Sequence, residues 1–267
     1  MEPTVNIALR AARKAGELIV RATEQLDKVR IQQKGHNDFV TEIDKAAERE
    51  VLHHLSKAYP DHRFIGEESG ETGNPDSDHL WIIDPIDGTT NFIRGIPHCA
   101  VSIACSVNGR LEHAVVYDPF KNEEFTASRG RGAQLNGRRI RVTGRTSMEG
   151  ALIATGVPFS EPSFSEMDNY LACMKELAEN SSGIRRIGVA SLDLAYLAAG
   201  RFDCFWEMHL KPWDIAAGVL LIKEAGGLVC DFQGGENYME NGHVVAASPR
   251  LLKPTLQVVG KYLGHLK

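Results

Sequence analysis

No Cys-x-x-Cys pair and no His-x-x-x-His spacing occurs in the 267 residues, and the five cysteines, Cys99, Cys105, Cys173, Cys204 and Cys230, are an odd set spread through mostly apolar runs. That excludes a zinc ribbon and a disulfide framework, so the thiols are expected to be reduced core residues of a cytoplasmic protein. There is no uninterrupted apolar run long enough for a signal peptide or a membrane span, and the N-terminal segment alternates charged with apolar residues. Excess positive charge is missing too. Thirty basic against thirty-five acidic residues leave a net charge of −5, which argues against a generally cationic surface and against direct DNA binding, while leaving room for a local basic patch. Repeats, low-complexity tracts and Pro/Ser-rich linkers are also absent. With an ordinary 43% of hydrophobic residues, the chain is long enough for one large domain or two tightly joined halves.

Helix and strand signals interleave throughout. Residues 4–25 carry Val5, Ala8, Ala12, Ala15, Ile19 and Ala22 at helical spacing, which predicts an amphipathic helix. Residues 29–33 read as a short strand, 34–38 as a polar loop and 41–58 as a second helix. Strands are expected at 63–66 and 80–83. Three further runs, 100–107, 111–117 and 123–127, are separated by Asn-Gly and Asp-Pro signals and suggest an antiparallel meander. The first half is thus helices on a largely antiparallel sheet. Beyond it, strands at 151–155, 202–206 and 228–231 alternate with helices at 165–179, 190–199 and 212–225, an α/β pattern. The boundary is expected near residues 145–150, dividing the chain into 1–147 and 148–267, with a cleft between the layers.

One stretch stands out: Trp81-Ile82-Ile83-Asp84-Pro85-Ile86-Asp87-Gly88-Thr89-Thr90-Asn91-Phe92. An apolar strand runs straight into two carboxylates held apart by a proline, followed by a glycine that allows close approach of backbone to ligand. A buried Asp84 would need a cation or a strong donor, and hard oxygen ligands on a rigid turn suit magnesium sharing its shell with a phosphate. An ordinary strand-ending turn explains the same string. Other acids must decide between them. Gly66-Glu67-Glu68-Ser69 follows a short strand and is either a solvated loop or a carboxylate reaching the end of the neighbouring strand. Thr41-Glu42-Ile43-Asp44 has the form of a capping box. Trp213-Asp214 follows Pro212 at the start of an apolar helix, where the dipole favours Asp whatever else it does.

These pieces occur together and in order in the inositol monophosphatase family, which this sequence closely resembles over nearly its whole length. Residues 81–92 are similar to that family's first signature. Trp213-Asp214-Ile215-Ala216-Ala217-Gly218, followed by Glu224-Ala225-Gly226-Gly227, resembles its second, and Gly66-Glu67-Glu68-Ser69 its metal-binding loop. The resemblance implies a layered αβαβα sandwich of the α/β (α+β) class. It implies that Glu67, Asp84 and the backbone carbonyl of Ile86 bind one magnesium, that Asp84, Asp87 and Asp214 bind a second, and that a third, weaker ion joins at Glu67. Two cations bridged by Asp84 can clamp a phosphate, one activating a water and the other stabilising the leaving alkoxide. Gly88 and Thr89 resemble the phosphate cradle. Thr89 and Asp44, with Glu67, are the implied catalytic residues that orient and deprotonate the water.

By the same resemblance Glu207 and the backbone of Ala190, with Asp87 and Asp214 nearby, would bind the hydroxyls of a polyol. Val189 departs from the Thr or Ser often found before that alanine, which puts the shape of the polyol pocket in doubt. The implied activity is magnesium-dependent hydrolysis of myo-inositol 1-phosphate and related small phosphomonoesters, with lithium inhibition and a homodimer. Fructose 1,6-bisphosphate and nucleotide 3′-phosphates are the alternative substrates. A bacterial branch of the family is associated with transcription antitermination in ribosomal RNA synthesis, through RNA polymerase and Nus factors. Two basic clusters, Arg138-Arg139-Ile140-Arg141 and Arg185-Arg186, read as solvated faces, as intersubunit pairs or as such a contact. Gly130-Arg131-Gly132 reads as a hairpin turn, and His53-His54 as a solvated pair.

Overall fold

The computed structural model describes residues 2–35, 38–158 and 161–266. The helices are α1 (Pro3–Thr23), α2 (Glu42–Ala58), α3 (Thr89–Ile93), α4 (Met167–Glu179), α5 (Ala190–Ala198), α6 (Pro212–Glu224), α7 (Tyr238–Asn241) and α8 (Leu252–Leu263). The strands are β1 (Ile31–Gly35), β2 (Asp38–Thr41), β3 (Arg63–Gly66), β4 (Gly70–Gly73), β5 (His79–Asp87), β6 (Ala100–Val107), β7 (Arg110–Asp118), β8 (Glu123–Ser128), β9 (Gly132–Leu135), β10 (Arg138–Arg139), β11 (Leu152–Thr155), β12 (Gly183–Arg185), β13 (Cys204–Glu207), β14 (Leu228–Cys230) and β15 (Val244–Ala247).

Eight strands form the first sheet, in the order β10-β9-β8-β7-β6-β5-β3-β4. Every neighbouring pair is antiparallel except β3 with β5, which run parallel. The second sheet orders its five strands β12-β11-β13-β15-β14, the first three parallel and the rest antiparallel. Helix α1 packs on α2 and on β6 and β7, covering the outer face of the first sheet. Its inward stripe, Val5, Ala8, Ala12, Ala15 and Ile19, is buried, and the alanines let the helix lie close. Helices α5 and α6 pack on each other between the sheets, and α4 and α8 cover the outer face of the second. The layers therefore run α, β, α, β, α, with one apolar cluster inside each helix layer.

Most expected elements appear within a residue or two of their expected ends. The polar loop at 34–38 is different: Lys34 and Gly35 complete β1 and Asp38 opens β2, while residues 36 and 37 of that expectation lie outside the described residues. The helix expected from 165 begins at Met167, after a 3-10 segment Glu161–Glu166. β4, β12 and α8 are not among the expected elements, although Leu252, Leu256, Val259 and Leu263 recur at helical spacing in α8. β4 reads Gly-Glu-Thr-Gly with every residue exposed, so it has no buried face to imprint a period. All five cysteines are buried and free, and no helix among the described residues is long and apolar enough to cross a membrane.

Candidate active site

The site begins with a bulge. Asp84 faces Ser102 and Asp87 faces Ala100, three steps along β5 against two along β6. An extra residue in one strand bends it and re-aims its side chains, and Pro85, which cannot donate to a ladder, is tolerated there. Asp84, 1% exposed, accepts the Ile86 N–H at 3.0 Å. Asp87 accepts the Ser191 N–H, at the start of α5, at 2.7 Å. Gly88 then takes φ +96°, and a Cβ there would lie 2.7 Å from Val189 Cγ2, so both conformation and space require glycine.

Parallel pairing of β3 with β5 brings their C-terminal ends together, and the Glu67 N–H donates to the Ile83 carbonyl at 3.1 Å. Lys34 reaches in from β1, its Nζ 2.6 Å from Glu68 Oε1 and 3.1 Å from Glu67 Oε1. Thr41 caps α2, and Asp44, buried in its first turn, accepts from the Thr41 backbone N–H at 2.8 Å and also from its hydroxyl. The other oxygen of Asp44 lies 2.9 Å from Thr89 Oγ1, which is also 3.1 Å from the Ile86 carbonyl. One hydroxyl proton can serve only one of these acceptors at a time.

The opposite wall comes from the second sheet and α6. Asp214 closes back on the first turn of α6 by accepting the Lys211 N–H at 2.6 Å. The Ser102 hydroxyl donates to the Trp213 carbonyl at 3.1 Å, tying α6 to the strand beside Asp84. Glu207 ends β13 against Gly156, where a Cβ would lie 1.9 Å from its Oε1. Lys34, Glu67, Glu207 and Asp214 line one cavity of about 800 Å³ that extends past Trp213 to His209 and Met239.

The acids raise one another's pKa. Burial, then Glu67, Asp87, Asp214 and Asp44, lift Asp84 well above the usual carboxylate range. Asp214 is lifted likewise by burial, Asp87, Glu67 and Glu207, against the Lys211 N–H. Burial pushes Glu67 up to about 7 against the pull of Lys34, and Asp87 up to about 6 against the Ser191 and Ala190 amides. Glu207 is pushed up to about 8, chiefly by burial, with Arg186 opposing. Asp44 is raised by burial and held back by its Thr41 and Thr89 bonds. Burial lowers Lys34, but the bonds and charges of Glu68 and Glu67 win and its pKa rises.

Such an excess of facing carboxylates calls for a cation. The donors are all hard oxygens, and the buried Asp84 feels the charges of Glu67, Asp87, Asp214 and Asp44, a donor set that suits magnesium. Among the described residues no three His, Cys, Asp or Glu side chains close round one point. The carboxylates are instead turned onto backbone amides and Lys34. The residues fit the ion by the chemistry of their oxygen donors.

Of the residues singled out in the sequence, Asp44, Glu67, Asp84, Asp87, Thr89 and Asp214 are brought into one electrostatic cluster, with Ile86 and Gly88 in the same turn. Glu207 borders the same cavity. The amide of Ala190, expected to face a polyol, is directed with that of Ser191 toward Asp87. Sequence reasoning placed Lys34 in a polar loop without its pairing to Glu67 and Glu68, and missed Ser191, Gly156 and His209. Lys34 and Ser191 act through pairings with residues 33 and 104 positions away, and no local pattern encodes such contacts.

A model of the inositol monophosphatase family matches residues 1–261. The chain belongs to the inositol monophosphatase family. Among its relatives, Nus factor SuhB of Pseudomonas aeruginosa is 57% identical over 265 residues, 98% of both chains. Nus factor SuhB of Escherichia coli K12 is 53% identical over 256 residues, 96% of this chain and 95% of that one. The crystal structure of extragenic suppressor protein suhB from Bartonella henselae superposes with a TM-score of 0.94 at 42% identity, covering 97% of this chain and 99% of that one. The Thermotoga maritima IMPase superposes at 0.89 with 34% identity over the whole of both chains. Membership of the inositol monophosphatase family makes this chain a phosphatase by fold and lineage.

Proposed function

We propose that the protein is a magnesium-dependent phosphomonoesterase acting on myo-inositol 1-phosphate and similar small polyol phosphates. The observation that carries the reading is the meeting of Glu67, Asp87, Asp214 and Asp44, from the ends of β3 and β5 and from α6 and α2, around a buried Asp84 whose pKa all four raise. Glu67, Asp84 and the Ile86 carbonyl would hold one ion, and Asp84, Asp87 and Asp214 another. Bound magnesium supplies positive charge to the phosphate oxygens and acidifies water. The chain does the rest. Thr89 Oγ1 takes a proton from the attacking water as it passes its own to Asp44, 2.9 Å away. Gly88, with no Cβ, lets the phosphate approach the backbone, while Glu207 accepts from ring hydroxyls in the cavity it borders.

The test is phosphate release from inositol 1-phosphate by the purified protein, with and without magnesium and after chelation. Release that needs magnesium and is inhibited by lithium is expected. Its absence at saturating magnesium would sink the reading, and fructose 1,6-bisphosphate and nucleotide 3′-phosphates in the same assay set its limits. A second, compatible role is contact with the transcription machinery in antitermination. It is supported by the name Nus factor carried by relatives at 53–57% identity, together with the exposed Arg185 and Arg186 beside the edge strand β12.

A further inference from the structure

His209 occupies a conformation that L side chains rarely adopt. Among the described residues four other than glycine have positive φ: Asn108, Asn122, Asn136 and His209, the last at φ +60°. The asparagines sit in the turns after β6, β7 and β9, where such a conformation is ordinary. His209 sits between β13 and α6, on the wall of the cavity that also takes Glu207, Lys211 and Asp214. Its backbone is held from several sides. The Leu210 N–H donates to the Gly242 carbonyl at 2.9 Å, and Gly242 packs so closely that a Cβ would lie 2.2 Å from the Leu210 carbonyl. The ring is anchored as well: Nδ1 lies 2.7 Å from Ser163 Oγ, and the ring meets His243 at 5.0 Å and 56°. Nε2 makes no hydrogen bond among the described residues, and His209 is exposed to the cavity.

Strain of this kind persists where the surroundings over-determine it, commonly at ligand sites. Ser163 and Gly242 supply that over-determination here, and the result is a polar ring edge fixed on the wall of the cavity that Glu207 also lines. We propose that His209 is a specificity residue, its outer ring nitrogen hydrogen-bonding a hydroxyl of the departing alcohol beyond Glu207, so that hydroxyl-rich leaving groups are selected over plain ones. The assignment rests on the phosphatase reading. A rigid polar group facing a hydroxyl discriminates strongly against esters that lack one, because its partner is then missing.

Two variants separate contact from architecture. His209→Gly removes the ring and relieves the backbone. His209→Asn tolerates positive φ and keeps a polar group near Ser163, but lacks the outer nitrogen. With inositol 1-phosphate, both should raise KM about tenfold with kcat within about twofold. With 4-nitrophenyl phosphate, whose leaving group carries no further hydroxyl, both constants should stay unchanged. The thermal midpoint of the glycine variant should equal or exceed that of the unsubstituted protein. An unchanged KM for inositol 1-phosphate in the asparagine variant, or equal losses on both esters, overturns the assignment. Cleavage of 4-nitrophenyl phosphate by the unsubstituted protein upholds the phosphatase reading whatever the variants do. Failure to cleave either ester removes both proposals together.

Discussion

Asp84 concentrates the chemistry of the site in one side chain. It is buried, its single internal donor is a backbone N–H, and four other carboxylates bear on it. Asp84→Asn removes a charge that two ions would share, so phosphate release should fall at least about a hundredfold. The same change removes like-charge repulsion, so the metal-free variant should unfold at a higher temperature than the unsubstituted protein, as differential scanning calorimetry would show. Loss of both activity and stability would point to a fold defect and speak against the role. At this scale the sequence was informative about chemistry. A strand of apolar residues ending in Asp-Pro-Ile-Asp-Gly announces a buried acid next to a tight turn. It could not announce Lys34 or Ser191, whose carboxylate partners arrive from other elements.

Elements set the aim of these side chains. Bulging β5 against β6 bends the strand between Asp84 and Asp87, and capping α2 through Thr41 points Asp44 at Thr89. Thr41→Ala removes the cap and a donor to Asp44 together. It should cost about 0.5–2 kcal/mol of stability in chemical denaturation and lower kcat more than it raises KM, because Asp44 acts on the water. A KM effect alone would contradict the assignment of Asp44. The capping box was legible in Thr41-Glu42-Ile43-Asp44, since it is a local pattern with a local cause. The bulge was not, because a strand's register is decided by its partner. Helix α6 contributes at both ends: Asp214 faces the site, and Glu224 accepts the N–H groups of Gly130 and Gly132 at 2.8 and 2.7 Å, locking the turn between β8 and β9.

For the molecule as a whole, the cluster makes stability depend on pH and metal. Glu67, Asp87 and Glu207 have folded pKa values of about 7, 6 and 8, all above the ordinary carboxylate range near 4. A carboxyl with a raised folded pKa is most compatible with the fold while protonated. The stability it confers is full below the unfolded value and lost as pH rises through the folded one. Metal-free protein should therefore weaken from about pH 4.5 to 8, and magnesium should restore stability most at the upper end, measurable by denaturant titration with and without chelator. A flat profile would contradict the cluster's electrostatics. The two cellular readings also divide at this scale. If the transcription role dominates, Asp84→Asn should still complement a deletion strain while Arg185→Glu, remote from the cavity lining and with phosphatase activity intact, should not; the reverse pattern would assign the cellular need to hydrolysis. Arg186 is unsuited to that test because its charge reaches Glu207. The sequence by itself determined the alternation of layers, the reduced core thiols and the acids available for a cation, because burial periodicity, capping and turn chemistry act over a few residues. Only the tertiary structure decided which acids meet, that Lys34 and backbone amides hold them apart, and that His209 faces the cavity. Those outcomes depend on strand register and on layers packing across more than a hundred residues of chain, where no local rule reaches.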